Sequence, residues 1–161
     1  MLKANRKKKT KDRAALLVAT LGGAGYSPIA PGTIGSLAAL ILWVPLIFLE
    51  TPLIVRVAVL ALACAAAIWS TKIALAYFGK DDPAEVVIDE LAGVGVALLL
   101  AGPSWPQIAL AFVLFRGFDI LKPWPISYFD QTVKGAFGVL LDDLLAGVGA
   151  LILLQVAKAL I

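Results

Sequence analysis

Two stretches of this sequence place carboxylates in otherwise apolar surroundings. VVIDELAGVGVALLL carries Asp89 and Glu90, and VLLDDLLAGVGALILL carries Asp142 and Asp143. Aligning Gly93 with Gly147 superposes Asp89 on Asp143, four residues ahead of the glycine in each. Residues four apart share a helix face, and small residues let helix backbones approach closely. The repeat therefore predicts two helices packed at their glycines, with Asp89 and Asp143 together one turn away. Chance similarity between two Gly/Ala-rich helices is the plainer reading of the repeat. It leaves the acids unexplained, because an ionisable group in an apolar span is costly and is a functional candidate by default. Facing carboxylates repel one another unless protonated or bridged by a cation. The chain has no histidine, and its one cysteine, Cys64, sits in an apolar run. The available ligands are hard oxygens, which suit Mg²⁺, Mn²⁺ or Ca²⁺ rather than zinc, and Mg²⁺ fits best because it takes few carboxylates and substrate phosphate.

Two further stretches supply positive charge and donors. In FRGFDILKPWPISYFD, Arg116 and Asp119 are three apart on one helix face, and Lys122 precedes the helix-ending Pro123. Arginine offers a fork to phosphate and lysine a point charge; an Arg116–Asp119 ion pair steadying a helix end is the structural alternative. Trp124, Tyr128 and Phe129 read as interfacial anchors, with Asp130 and Lys134 in the same loop. GGAGYSPIAPGTIGS is a glycine-rich loop feeding a helix. Backbone N–H groups at a helix N-terminus bind anions, and Gly32, Ser27, Thr33 and Ser36 could join them. The lysine of a Walker A loop is missing, and capping by Thr33 or Ser36 would also explain the hydroxyls.

The elements that must carry these residues are membrane helices. The chain has 161 residues, of which 61% are hydrophobic and 16% charged, whereas soluble domains are roughly half apolar and a quarter charged. Apolar runs at Ile34–Leu49, Leu53–Trp69, Leu91–Ala101, Ile108–Phe118 and Leu144–Ile161 predict an all-α polytopic bundle of about five spans. A short interfacial helix over Ala14–Leu21 precedes them; its apolar part is too short, and runs too soon into the proline loop, for a cleaved signal peptide. The organisation expected is a basic tail over 1–13 and one membrane-embedded catalytic domain over 14–161. Seven of the fourteen basic residues lie in the first thirteen positions. Such a tail suits anionic lipid headgroups better than nucleic acid, which is not an expected partner. With the tail cytoplasmic, five crossings leave only Glu50, Arg56 and Lys158 outside. The positive-inside rule accounts for the basic residues of that arrangement but not for ten of eleven acids on one side. That excess points to a site on the cytoplasmic face.

SPIAPGTIGSLAAL, VIDELAG, FRGFDILKPWPI and AFGVLLDDLLAG together resemble the phosphatidylglycerophosphatase A family, from about Gly22 to Gly147. The lysine-rich N-terminus and Ala136 are mild departures. The resemblance implies a bacterial inner-membrane, Mg²⁺-dependent phosphatase that converts phosphatidylglycerophosphate to phosphatidylglycerol. On that footing Asp89, Asp142 and Asp143, with Glu90, are expected to hold Mg²⁺. Glu90 or Asp119 would position or deprotonate the attacking water, and Asp89 and Asp143 complete the catalytic acids. Arg116 and Lys122 would hold the phosphate, helped by the Ser27–Ser36 loop. Direct attack by water and a covalent aspartyl-phosphate both remain open. A homodimer is compatible with so small a bundle. The absence of histidine excludes the acid-phosphatase-like lipid phosphatases, and the split of the acids over three helices disfavours the CDP-alcohol phosphotransferases. The alternative from another class is a small ion- or proton-coupled transporter using paired intramembrane aspartates.

Overall fold

The computed structural model describes residues 12–160, so most of the basic tail expected over 1–13 lies outside the described residues. Helix α1 covers residues 12–19 and continues into a 3-10 segment, Leu21–Tyr26. There follow α2 (Pro31–Phe48), α3 (Leu53–Phe78), α4 (Ile88–Leu98), α5 (Trp105–Leu121), α6 (Ile126–Thr132) and α7 (Gly135–Leu160). Among the described residues there is no strand, as the all-α expectation requires.

Punctuation residues set these boundaries. Pro31 opens α2 at a position where its missing N–H costs nothing. Gly79 closes α3 in the left-handed conformation, returning its N–H to the Leu75 carbonyl at 2.9 Å. Lys122 closes α5 in the same way, just before Pro123.

Three helices among the described residues, α2, α3 and α7, are long and apolar enough to cross a membrane. This is a membrane protein, but five such spans are not seen. The run expected over Leu91–Ala101 folds as the 11-residue α4, about 16 Å long and short of a hydrocarbon core of about 30 Å. Helix α5 has 17 residues. The physical reason lies in what α4 touches. It contacts α2, α3, α5 and α7, and nine of its residues are buried. Its hydrophobicity serves protein packing rather than lipid contact. The helix expected over Ala14–Leu21 is also docked: Ala15 and Ala19 are fully buried, and the Ala19 carbonyl accepts the Val87 N–H at 2.9 Å.

Glycines admit these close contacts. A Cβ on Gly147 would collide with the Gly93 carbonyl and come within 2.9 Å of Val96 Cβ. The predicted glycine seam between α4 and α7 is therefore present. One on Gly93 would come within 2.5 Å of the Phe115 ring, and one on Gly95 would collide with the Trp43 indole. At the far end of α4, Arg56 donates to the Ala101 carbonyl at 3.0 Å and Lys158 to that of Leu100 at 3.1 Å. The two basic residues expected on the outer side thus cap backbone groups that α4 leaves without helical partners.

Candidate active site

The N-terminal ends of α2, α4 and α7 and the C-terminal end of α5 converge on a cavity of about 420 Å³. Its wall is completed by the α3–α4 connection and by residues around the end of α6. Asp142 and Asp143 sit seven and eight residues into α7, about 10–12 Å along its axis. The acids are thus recessed below the mouth, and not level with the helix ends.

The tightest group of acids is Asp119, Asp142 and Asp143, whose ligand oxygens lie within 4.8 Å of one another. Asp142 and Asp143 are 7% and 4% exposed, and Asp142 Oδ1 and Asp143 Oδ2 are buried without a hydrogen-bond partner. Asp89 lines the same cavity and also keeps an unpartnered buried oxygen, Oδ1. Native proteins rarely leave buried carboxylate oxygens unpaired, and a cation in the Asp119–Asp142–Asp143 group would give Asp142 and Asp143 a partner. The donor set, carboxylates with no nitrogen or sulfur, fits a hard divalent ion such as Mg²⁺.

Glu90 behaves differently from its neighbour. Arg116 Nη1 donates to both of its oxygens at 2.7 Å, and the Ser36 hydroxyl lies 2.6 Å from Glu90 Oε2. The same Nη1 pairs with Asp119 at 2.8 Å. The ion pair read from the 116/119 spacing is therefore real, and Glu90 extends it. Glu90 is not in the three-carboxylate group; it anchors the arginine that orients Asp119. Gly32 makes room for this knot, since a Cβ there would come within 2.5 Å of Glu90 Oε1. Arg116 still has an unpartnered buried Nε and lines the cavity.

Lys122 donates to Asp130 at 2.6 Å and also to Asp142. Burial pulls its pKa down, but the hydrogen bonds and charges of the two aspartates outweigh that and raise it above the ordinary lysine value. The hydrogen bond from Lys122 in turn holds Asp130 below the ordinary carboxylate value, against a smaller push from burial.

The glycine-rich loop is placed otherwise than expected. Gly32 and Pro31 line the cavity, but Ser27, Thr33 and Ser36 are not on its wall. Ser27 bonds within its own turn, its hydroxyl donating to the Ile29 carbonyl at 2.9 Å. Ser36 is buried against Glu90 because α2 starts at Pro31, which puts it in the second helical turn. Neither Thr33 nor Ser36 caps α2; the N-cap is Ala30, without a side-chain bond. Sequence reasoning missed Asp81 and Asp82, which line the cavity from the α3–α4 connection, and it left Lys134 unassigned. The cluster GKDDP reads as a turn, and only the crowding of acids on one side hinted at more. Eight acids and three basic residues line the cavity among the described residues, an imbalance that itself calls for cations.

A family model described as phosphatidylglycerophosphatase A matches residues 17–158. A phosphatidylglycerophosphatase A of Escherichia coli is 38% identical over 133 residues, 82% of this chain and 76% of that protein. One from Haemophilus influenzae is 41% identical over 140 residues, 84% of this chain and 83% of its own. A Bacteroides thetaiotaomicron protein with the provisional name phosphatidylinositol-3-phosphatase is 41% identical over 150 residues, 89% of this chain and 92% of its own. No solved structure matches significantly.

Proposed function

The chain belongs to the phosphatidylglycerophosphatase A family, and on that premise we propose that it is a Mg²⁺-dependent lipid phosphatase. Its substrate is phosphatidylglycerophosphate, and its products are phosphatidylglycerol and phosphate. The observation that carries this reading is the recessed Asp119–Asp142–Asp143 group, with unpaired oxygens facing a cavity that also holds Arg116 and Lys122.

Asp119, Asp142 and Asp143 would hold Mg²⁺, with Asp89 beside them. The ion, when bound, would neutralise phosphate charge and polarise the phosphoryl oxygens. Lys122 has three N–H donors, two of which serve Asp130 and Asp142; the third is free for a phosphate oxygen. Arg116 adds positive charge as the P–O bond breaks. Asp89 is the carboxylate best placed to take the proton of an attacking water, since Arg116 occupies both oxygens of Glu90. The water oxygen bonds to phosphorus, the phosphorus–glycerol oxygen bond breaks, and the leaving oxygen is protonated from solvent. Glu90 and Ser36 hold Arg116, and Arg116 holds Asp119.

The basic residues gathered on the same side as these acids support a cytoplasmic mouth in a bacterial inner membrane. The meeting of Arg56 and Lys158 with the far end of α4 supports five alternating passes, with α4 sheltered inside the bundle. Family membership favours this reading over the ion-coupled transporter.

The test is phosphate release by purified protein in mixed micelles, with Mg²⁺ and with chelator. The substrates are phosphatidylglycerophosphate, phosphatidylinositol-3-phosphate and phosphatidic acid. Mg²⁺-dependent release greatest from the first supports the proposal. Preference for the second moves the chain to the activity in the Bacteroides relative's name. No release by folded protein, combined with ion flux in liposomes, favours the transporter.

A further inference from the structure

We propose that Lys134 determines specificity by binding the phosphodiester of the lipid headgroup, one polyol away from the phosphomonoester that Lys122 and Arg116 face beside the Asp119–Asp142–Asp143 group. This rests on the lipid-phosphatase reading above.

Three basic side chains line the cavity among the described residues. Two are committed to carboxylates: Arg116 to Glu90 and Asp119, and Lys122 to Asp130 and Asp142. Lys134 is exposed and donates only to the backbone carbonyl of Asp130, at 3.0 Å. It makes no ion pair among the described residues, and of the three it is the one whose ammonium group is not bonded to a carboxylate. It also stands at a different depth. Lys134 immediately precedes Gly135, the first residue of α7, and Asp142 lies seven residues beyond that glycine, about 10 Å deeper along the axis.

A cation nearer the start of α7 than the acids suits a chemical feature shared by the lipids in the relatives' names. Each has a phosphomonoester on a polyol, and the polyol is joined through a phosphodiester to diacylglycerol. A headgroup entering phosphate-first places the monoester among the acids and the diester near the mouth. Asp81 and Asp82 are exposed on that rim and would repel a second phosphate. A cation there offsets the repulsion, and the first N–H groups of α7 add positive potential next to it. Phosphatidic acid carries its monoester directly on diacylglycerol and has no diester to offer, so the same contact discriminates against it.

The test compares full-length wild type with Lys134→Gln and Lys134→Arg in mixed micelles. Phosphatidylglycerophosphate is the substrate, and phosphatidic acid is followed as competing substrate or inhibitor. For Lys134→Gln, KM for phosphatidylglycerophosphate should rise about tenfold with little change in kcat, typical of one lost charge contact. The arginine variant should stay near wild type, and the constant for phosphatidic acid should not move. Added salt should raise the wild-type KM more than that of the glutamine variant. An equal rise for both lipids, or none for phosphatidylglycerophosphate, overturns the assignment while leaving the phosphatase reading intact. Wild-type protein that releases phosphate from no diester-containing lipid overturns both.

Discussion

Replacing Arg116 should damage the fold more than replacing Glu90, although the two form one ion pair. Their side chains are only 13% and 8% exposed. Breaking a buried pair by removing one partner costs about 3–5 kcal/mol, because the other charge is left buried and uncompensated. Arg116→Met strands two carboxylates, Glu90 and Asp119, both paired to the same Nη1. Protonation of one relieves part of the penalty, so we expect a loss near the upper end of that range. Glu90→Gln strands less. Arg116 keeps Asp119, and the amide oxygen still accepts from Ser36 or Arg116, leaving a loss of about 1–3 kcal/mol. The assay is unfolding in mixed micelles titrated with a denaturing detergent, in chelator so that metal binding does not contribute. Mg²⁺ half-saturation of activity is the second readout. It should rise most for Arg116→Met, which takes the partner of Asp119 away, and less for Glu90→Gln, where Arg116 keeps Asp119 but loses its own anchor. Arg116→Met as stable as Glu90→Gln would refute the reasoning, by showing that Arg116 is not the hub its contacts describe.

Asp143→Asn removes a buried carboxylate whose Oδ2 has no partner. It should abolish turnover yet make the chelated protein at least as stable as wild type, and Mg²⁺ should no longer raise its melting temperature. Asp89→Asn should also abolish turnover with the fold retained, as phosphate-release and melting assays would show. Gly147→Ala forces a Cβ onto the Gly93 carbonyl and should cost about 1–3 kcal/mol, seen as a lower melting temperature. Asp130 has a lowered pKa through Lys122, so its pairing stabilises the fold above its unfolded value of about 3.9 and is lost as pH falls through the lower folded value. The stability gap between wild type and Asp130→Asn should therefore stay constant from about pH 5 to 9 and close only in stronger acid.

What the sequence revealed followed from local spacing. The AGVG repeat fixed which glycines meet, because four-residue spacing on a helix is rigid. The Arg116–Asp119 pair was readable for the same reason. The resemblance implies a metal role for Glu90 alongside Asp89, but adjacent residues point about 100° apart on a helix, and Glu90 turns towards α2 and α5, whose Ser36 and Arg116 are distant in sequence. Hydropathy could not separate α4 from the lipid-facing helices, since protein interior and hydrocarbon favour the same side chains. Asp81, Asp82 and Lys134 were hidden by their setting, since charged turn residues are ordinarily solvated. Only the folding of the α3–α4 and α6–α7 connections over one cavity gives them a shared surroundings.

The glycine contacts around α4 also bear on the order of events in a turnover. About one turn beyond Asp89 and Glu90, α4 meets α7 at Gly147, the Phe115 ring at Gly93 and the Trp43 ring at Gly95. Packing this close bars passage between α4 and its neighbours at those three contacts, and on the headgroup-first reading the lipid and its products share one mouth. A lipid that enters headgroup-first leaves its alcohol nearest the exit and its phosphate at the bottom. Phosphatidylglycerol must then withdraw first, and inorganic phosphate must depart last, from an enzyme already open to the next lipid. Phosphate should accordingly inhibit in competition with substrate, and phosphatidylglycerol should not.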